Sequence, residues 1–161
     1  MKGKRVYIDT NIYIYVALKH PDFYKKCYNV LDMLVSKEFT GYGSHLVLFE
    51  LFGSLSKIDV EAAYEAVNSC LNLPLTMLEA NRDMFTYARE IAMLSRVTYD
   101  SLHAALVAQN GIDLVVTEDL KDWCKILAAW PKIKRKLRVK DLAVLSPTKG
   151  LIHCDQYRYI S

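Results

Sequence analysis

The stretch Arg5-Val-Tyr-Ile-Asp-Thr-Asn11 decides how this sequence is expected to fold. An apolar run that ends in an acid is typical of a short buried strand. Helical spacing of apolar side chains begins directly afterwards, so residues 12–18 are predicted to form a helix. A strand that leads at once into a helix is the building unit of a parallel sheet.

The same alternation of strand and helix recurs along the chain. Further strands are predicted at 39–42, 112–117 and 142–145. Helices are predicted at 21–36, 44–57, 59–73, 79–95, 102–110 and 119–129, with Pro131 ending the last one. We therefore expect one three-layer α/β/α domain over residues 1–146, with helices on both faces of a parallel sheet. Residues 147–161 form a tail whose packing the sequence does not indicate.

The composition is that of an ordinary globular domain. The 161 residues are 52% hydrophobic and 24% charged, which allows a sizeable core. No apolar run reaches the ~18 residues that a membrane span needs. Asp9 and Asn11 interrupt the first apolar segment too early for a signal peptide. A cytoplasmic protein without membrane association is expected.

The four cysteines and four histidines are scattered along the chain. No two cysteines lie within four residues of each other, so the paired spacing of a structural zinc site is missing. Packed thiols without disulfides are expected instead.

Three aspartates, Asp9, Asp100 and Asp119, stand just before predicted helices. The carboxyl ends of parallel strands line one crevice, and Asp9 and Asp119 both follow strands. Each of the three could simply be a helix cap, because aspartate is a preferred capping residue. Acids gathered at one edge repel one another, however, and stability alone disfavours such a cluster.

Glu50 cannot be explained as a cap, because it lies inside the predicted helix 44–57. It is expected to share a face with the small residues Gly53 and Ser54. An ionised glutamate beside apolar and small groups needs a partner, and a divalent metal ion is one candidate. A surface position at the helix edge is the alternative. The apolar side of this helix is expected to consist of Leu48, Phe49, Leu51, Phe52 and Leu55.

Four segments together resemble the signature motifs of PIN domains. They are Tyr7-Ile-Asp-Thr-Asn11, Leu48-Phe-Glu-Leu51, Thr98-Tyr-Asp-Ser-Leu-His-Ala104 and Leu114-Val-Val-Thr-Glu-Asp119. Their order and spacing also fit, and the resemblance covers about residues 5 to 146. It implies a sheet with strand order 3-2-1-4-5. In size, the chain is similar to VapC-type toxins of toxin–antitoxin pairs.

The resemblance also implies a site, carried over by position. Its acids would be Asp9, Glu50, Asp100 and Asp119, which suit Mg²⁺ or Mn²⁺. Its supporting polar groups would be Thr10, Asn11, Ser44 and Thr117. One departure concerns the segment Thr117-Glu-Asp-Leu-Lys-Asp-Trp123, which is one residue longer than the usual pattern. Asp119, Asp122 or both could therefore face the metal.

The activity that the resemblance implies is metal-dependent hydrolysis of RNA that leaves a 5′-phosphate. The implied partners are an RNA substrate, an antitoxin protein and a second copy of the chain. An inactive PIN fold that serves as an RNA-binding scaffold is the alternative, although the presence of all four acids favours catalysis. An aspartyl-phosphate hydrolase is a further alternative, but that class usually has a second acid where this chain has Asn11.

Basic residues are concentrated between 131 and 140, although the net charge of the whole chain is only +3. A solvated surface run and a phosphate-contact patch for RNA are both open explanations. The run lies between a helix and the last predicted strand, which places it near the sheet edge opposite the acids. The candidate RNA-binding residues are Lys132, Lys134, Arg135, Lys136 and Arg138.

Overall fold

A computed structural model describes residues 1–153 of the chain. Its strands are β1 (Arg5–Ile8), β2 (Thr40–Ser44), β3 (Leu75–Leu78), β4 (Leu114–Val116), β5 (Ala143–Ser146) and β6 (Gly150–Leu151). Its helices are α1 (Thr10–Ala17), α2 (Tyr24–Val35), α3 (His45–Leu55), α4 (Val60–Leu71), α5 (Arg82–Ser95), α6 (Asp100–Gln109) and α7 (Leu120–Leu137).

The strands form one sheet in the order β3-β2-β1-β4-β5-β6. The first five pair in parallel, and β6 pairs with β5 in the antiparallel direction. The α/β fold and the strand order 3-2-1-4-5 are therefore confirmed. Helices α1 to α4 contact one another, as do α5 to α7, and these two groups flank the sheet. The central strands are covered on both sides, so that Val6, Tyr7 and Ile8 are all 0% exposed.

Helix α7 continues through Pro131, and the prediction that it ends there was wrong. A proline inside a helix removes one backbone hydrogen bond. The apolar pattern nevertheless runs on, since Trp123, Ile126, Trp130 and Ile133 are all buried and fall on one face. Packing of this face offsets the lost bond, and Pro131 itself lies on the exposed side of the helix.

The apolar face of α3 also differs from the prediction. Val47, Leu51 and Leu55 are buried, whereas Phe49 is 71% exposed and Phe52 is 42% exposed. A run of apolar residues around a helix does not reveal which of them face the core, so the sequence pattern was ambiguous here.

Two strands were not recognised in the sequence. Leu75-Thr-Met-Leu78 is short and follows Pro74, yet it pairs with β2 as β3. Gly150–Leu151 forms β6 within the predicted tail, and Ile152 beyond it is buried. Tyr157, Tyr159 and Ile160 of the tail lie outside the described residues.

Cys27, Cys70 and Cys124 are buried thiols that form no disulfide with one another, as predicted. Cys154 lies outside the described residues. Within residues 1–153, every helix is too short or too polar to cross a membrane.

Candidate active site

Three neighbouring strands end at one edge of the sheet, and each delivers a polar residue there. Ser44 ends β2, Asp9 directly follows β1, and Thr117 directly follows β4. The Asp9 backbone N–H donates to the Val116 carbonyl at 3.0 Å, which fixes the end of β1 beside the end of β4. Since β1 lies between β2 and β4, the three strand ends lie side by side at one edge of the sheet. The Asp9 and Thr117 side chains contact each other there, whereas Ser44 is fully buried and contacts the Tyr7 hydroxyl.

Asp9 is 6% exposed, and its carboxylate is held by four donors. Oδ2 accepts from the Thr117 hydroxyl at 2.7 Å, the Asn11 amide at 3.0 Å and the Trp123 indole N–H at 3.2 Å. Among residues 1–153, Oδ1 accepts only from the Thr10 backbone N–H, at 2.8 Å. Each carboxylate oxygen offers about two lone pairs, so Oδ1 keeps acceptor capacity for a further partner.

Asn11 and Thr117 join the ends of β1 and β4 behind this carboxylate. The Asn11 amide donates to Thr117 Oγ1 at 2.9 Å, and Asn11 Oδ1 accepts from the Glu118 N–H at 2.9 Å. Thr117 Oγ1 also accepts from the Asp119 N–H at 2.9 Å. Asn11 and Thr117, two of the four predicted supporting residues, thus hold Asp9 in a single orientation.

Glu50 points from α3 into the same crevice, with its side chain 21% exposed. The Thr10 hydroxyl donates to Oε2, and His103 Nε2 lies 2.9 Å from Oε1. Burial opposes ionisation of this carboxyl, but the hydrogen bonds from His103 and Thr10 and the charge of His103 outweigh it and lower its pKa. Glu50 is therefore a fixed carboxylate rather than a surface group at the helix edge.

Asp9, Glu50 and His103 each offer one ligand atom, and these atoms lie within 4.8 Å of one another. Sequence reasoning missed His103, because no histidine in the chain has metal-ligand spacing. The available signal was its position three residues after Asp100, which places both residues on one face of α6.

Asp100 is the first residue of α6, where Tyr99 rather than Asp100 is the N-cap. It lies outside the 4.8 Å group but interacts with that group electrostatically. Burial, followed by the negative charges of Asp9 and Asp119, raises the pKa of Asp100 to about 7. Its carboxyl is therefore poised between the neutral and charged forms.

Asp119 and Asp122 both stand at the start of α7. Partial burial and the negative charges of Asp122 and Asp9 raise the pKa of Asp119. Asp122 is one turn further on and pairs with Lys125 at 2.7 Å. Both contribute to the raised pKa of Asp100, and Asp119 has the larger effect.

Glu118, between Thr117 and Asp119, points to a different partner. Its carboxylate accepts from the Ser146 hydroxyl and from the backbone N–H and hydroxyl of Thr148, each at 2.8 Å. These contacts hold the turn between β5 and β6. Of the adjacent acids Glu118 and Asp119, it is therefore Glu118 whose carboxylate binds this turn.

The basic run lies on the last turns of α7 and just beyond, away from the acids. Helix α7 starts at the acidic edge and ends where β5 begins, so its last residues lie at the opposite edge of the sheet. Lys134 pairs with Asp141 at 2.6 Å, and Lys136 pairs with Glu90 at 2.5 Å. Lys132, Arg135 and Arg138 form no ion pair with any residue of the 1–153 segment.

The donor set fits a hard divalent cation. Carboxylate oxygens are the ligands that Mg²⁺ and Mn²⁺ prefer, and Asp9 and Glu50 present them within ligand-sharing distance. Burial and, after it, repulsion from the negative charges of Asp9 and Asp119 raise the pKa of Asp100. A cation in the crevice would relieve that repulsion.

The parallel sheet and the carboxylates at its carboxyl edge define an α/β protein with an acidic crevice. The family model of the PIN domain matches residues 6–145, and the chain therefore belongs to the PIN domain family. A comparison with curated proteins found no match.

Solved structures of VapBC and VapC proteins have a similar fold. VapBC2 from Rickettsia felis, solved with a fragment of promoter DNA, is 24% identical with a TM-score of 0.62, covering 88% of this chain and 97% of its own. DNA-bound VapBC from Salmonella typhimurium is 18% identical with a TM-score of 0.61, covering 91% and 99%. VapC20 from Mycobacterium tuberculosis, described as a sarcin–ricin loop cleaving toxin, is 17% identical with a TM-score of 0.61, covering 73% and 92%. These likenesses show the fold.

Proposed function

We propose that this PIN domain is a metal-dependent endoribonuclease that acts in the cytoplasm. The observation that carries the proposal is the convergence of Asp9 and Glu50, whose ligand atoms lie within 4.8 Å, with Asp100 coupled to Asp9 by charge. Stability alone disfavours such a cluster, whereas divalent-metal chemistry on a phosphodiester requires it.

In this proposal Asp9, Glu50, Asp100 and Asp119 hold Mg²⁺ or Mn²⁺. The bound ion supplies positive charge that favours ionisation of an attacking water and stabilises the developing charge on the phosphodiester. The chain's own residues supply position. Thr117, Asn11 and Trp123 hold one oxygen of Asp9, and the other oxygen is left with acceptor capacity for the ion. Thr10 orients both acids, since its N–H binds Asp9 and its hydroxyl binds Glu50.

The test is cleavage of end-labelled single-stranded RNA with Mg²⁺, Mn²⁺, Ca²⁺ or EDTA. Mg²⁺ and Mn²⁺ should support cleavage, Ca²⁺ should support little because its loose coordination positions water poorly, and EDTA should abolish it. Asp100→Asn should be inactive, and Asp32→Asn, at an exposed position on α2, is the matched control. Equal cleavage in EDTA contradicts the proposal. RNA binding without cleavage in any metal supports the scaffold alternative.

We further propose that the protein is the toxin of a VapBC-type pair and forms a homodimer. The similar structures include toxin–antitoxin complexes, and Phe49 is 71% exposed, as side chains covered by a partner often are in the free protein. Expression of the wild-type chain should arrest growth, and Asp100→Asn should not. A short open reading frame directly upstream should encode a protein that relieves the arrest. Light scattering on the purified chain should give twice the mass of the monomer.

A further inference from the structure

The Glu50 carboxylate is the end point of a chain of hydrogen bonds through the core. The Val47 N–H donates to Ser44 Oγ at 3.3 Å, and Ser44 Oγ lies 2.7 Å from the Tyr7 hydroxyl. That hydroxyl lies 2.7 Å from His103 Nδ1, and His103 Nε2 lies 2.9 Å from Glu50 Oε1. Ser44 and Tyr7 are 0% exposed and His103 is 1% exposed, so water does not compete for these bonds.

The Glu50 end of the chain fixes the protonation of His103. An ionised Glu50 can only accept, so His103 Nε2 carries a proton that faces Glu50, in the neutral and in the charged ring alike. In the neutral ring Nδ1 accepts from the Tyr7 hydroxyl, which in turn accepts from Ser44. Every polar atom along this path then has a partner, and all donors point toward Glu50.

The chain of hydrogen bonds also connects the secondary-structure elements whose relative positions determine where Glu50 lies. It starts at the first turn of α3, crosses β1 at Tyr7 and α6 at His103, and returns to α3 at Glu50. Helix α3 is therefore fixed relative to the elements that carry two of the other acids, because β1 leads into Asp9 and α6 begins with Asp100.

The simplest alternative is that His103 is a third metal ligand beside Asp9 and Glu50, since the three ligand atoms lie within 4.8 Å. Ligation through Nε2 would require loss of the Nε2 proton and of the hydrogen bond to Glu50. Mg²⁺ takes oxygen ligands, and both ring nitrogens of His103 already have partners. A group that donates to a ligating carboxylate orients that ligand without touching the metal.

We propose that His103, backed by Tyr7 and Ser44, is a positioning residue that holds Glu50 in its metal-binding orientation and is not itself a ligand. This role rests on the proposed metal-dependent function. The proposal gives three buried polar residues of the core, His103, Tyr7 and Ser44, a role in orienting Glu50. A histidine buried only for packing would leave the site unaffected when replaced.

The test compares two substitutions of similar size at His103. His103→Gln retains a side-chain N–H that can reach Glu50, and His103→Leu removes it. Mn²⁺ affinity is measured by calorimetry for both variants, for Tyr7→Phe and for the exposed controls His45→Leu and Tyr64→Phe. His103→Leu should weaken Mn²⁺ binding by ~10–100-fold, the range for loss of a group that orients a ligand. His103→Gln should recover most of that loss, Tyr7→Phe should lose about 10-fold or less, and both controls should match the wild type.

A second measurement reads the imidazole directly. Nitrogen-15 NMR of the wild-type protein should show a proton on His103 Nε2, both without metal and with saturating Mg²⁺. Loss of that proton on adding Mg²⁺, with His103→Gln as weak as His103→Leu, would make His103 a ligand and overturn the proposal. Normal Mn²⁺ binding by a folded His103→Leu would also overturn it and make the residue a packing histidine. If His103→Leu does not fold, Tyr7→Phe and the NMR spectrum decide.

The proposed metal-dependent function and the positioning role of His103 would be contradicted by different results. A wild-type protein that binds no Mn²⁺ and cleaves no RNA removes the proposed function, and this role with it. A wild-type protein that binds and cleaves normally while the His103 variants are unaffected removes only the positioning role.

Discussion

The Thr117 hydroxyl donates to Asp9 Oδ2 at 2.7 Å and joins two residues that are 108 positions apart in the sequence. Thr117 is 0% exposed, and its oxygen also accepts from the Asp119 N–H. One side chain therefore orients the first acid of the site and shapes the backbone that presents the last one.

Thr117→Val removes the hydrogen bonds of the hydroxyl but keeps the packing of the side chain, because valine has a similar shape and no hydroxyl. Asp9 loses a donor and the Asp119 N–H loses its acceptor, so the free energy of unfolding should fall by ~1–3 kcal/mol. Urea denaturation measures this change, and Mn²⁺ titration should show weaker binding. Thr40→Val, at an exposed position in β2, is the control. Unchanged stability and Mn²⁺ affinity in Thr117→Val would mean that the hydroxyl has no role in the site.

The metal-free protein should become less stable as the pH rises toward neutrality, in part because of Asp100. Its folded pKa is raised from 3.8 to about 7. Between these values the unfolded chain has released the proton and the folded chain still holds it, so raising the pH lowers the free energy of unfolding. The raised pKa of His103 acts in the same direction, because its contribution is present below its ordinary pKa of 6.5 and is lost as the pH rises through the folded value.

Denaturation in EDTA between about pH 5 and 7.5 tests this pH dependence, in a range where the lowered pKa of Glu50 contributes little. Asp100→Asn should flatten the decline relative to the wild type and should be at least as stable near pH 7.5. Added Mg²⁺ should restore wild-type stability there, by ~2.7 kcal/mol at a concentration 100 times its dissociation constant. A wild type and an Asp100→Asn variant with parallel pH profiles would contradict the coupling of Asp100 to the other acids.

Asp119→Asn should lower RNA cleavage at least ~10-fold more than Asp122→Asn, equivalent to ~1.4 kcal/mol in the barrier. Asp119 directly follows the backbone that Thr117 fixes, whereas Asp122 is engaged by Lys125. Cleavage rates at several Mn²⁺ concentrations measure the difference, and high Mn²⁺ should partly restore the Asp119 variant. The reverse order would assign the fourth acid to Asp122. Small and equal effects would mean that three acids suffice.

If the basic run contacts RNA phosphates, the double substitution of Lys132 and Arg135 by alanine should reduce the salt dependence of binding. The slope of log affinity against log salt should fall by ~0.7 per lost contact with a single strand. Neither residue is used in an ion pair with residues 1–153, unlike Lys134 and Lys136. The double substitution of Lys25 and Lys26 on α2 is the matched control. Because the basic run lies far from the acids, the double substitution should not change the cleavage of a short RNA. An unchanged slope would mean that the basic run is a solvated surface and does not contact RNA.

Local patterns in the sequence predicted the order of the elements, and the motif resemblance predicted the order of strands. Local patterns were sufficient for buried strands such as β1 and β4, but they did not reveal β3 or β6. Pro131 led to the wrong prediction of where α7 ends. Proline disfavours a continuing helix, but burial of the Trp130 and Ile133 side chains stabilises it, and this burial is seen only in the folded structure. The short strand β3 carries too few residues for any periodicity to register.

The sequence named four acids for the candidate site, and the structure brings two of them, Asp9 and Glu50, together. The partners of these acids were not predicted. The contact of Asp9 with Trp123 and that of Glu50 with His103 join residues far apart in sequence. Spacing rules register only neighbours along a helix or strand, so histidine–carboxylate pairing across elements leaves no local signal. The sequence also does not show that Glu118 and Asp119 have different partners. The two acids are adjacent, and only the folded structure shows that Glu118 binds the turn at Thr148.

The long sequence separation between Asp9 and Thr117 has a consequence for synthesis of the chain. Asp9 is synthesised 108 residues before its partner, and β4 must then pair beside β1 before the two can meet. Closing so long a loop is entropically costly and slow compared with forming local helices. Until Thr117 has been synthesised and β4 has paired, the nascent chain therefore lacks the contact that orients Asp9, and the crevice is incomplete.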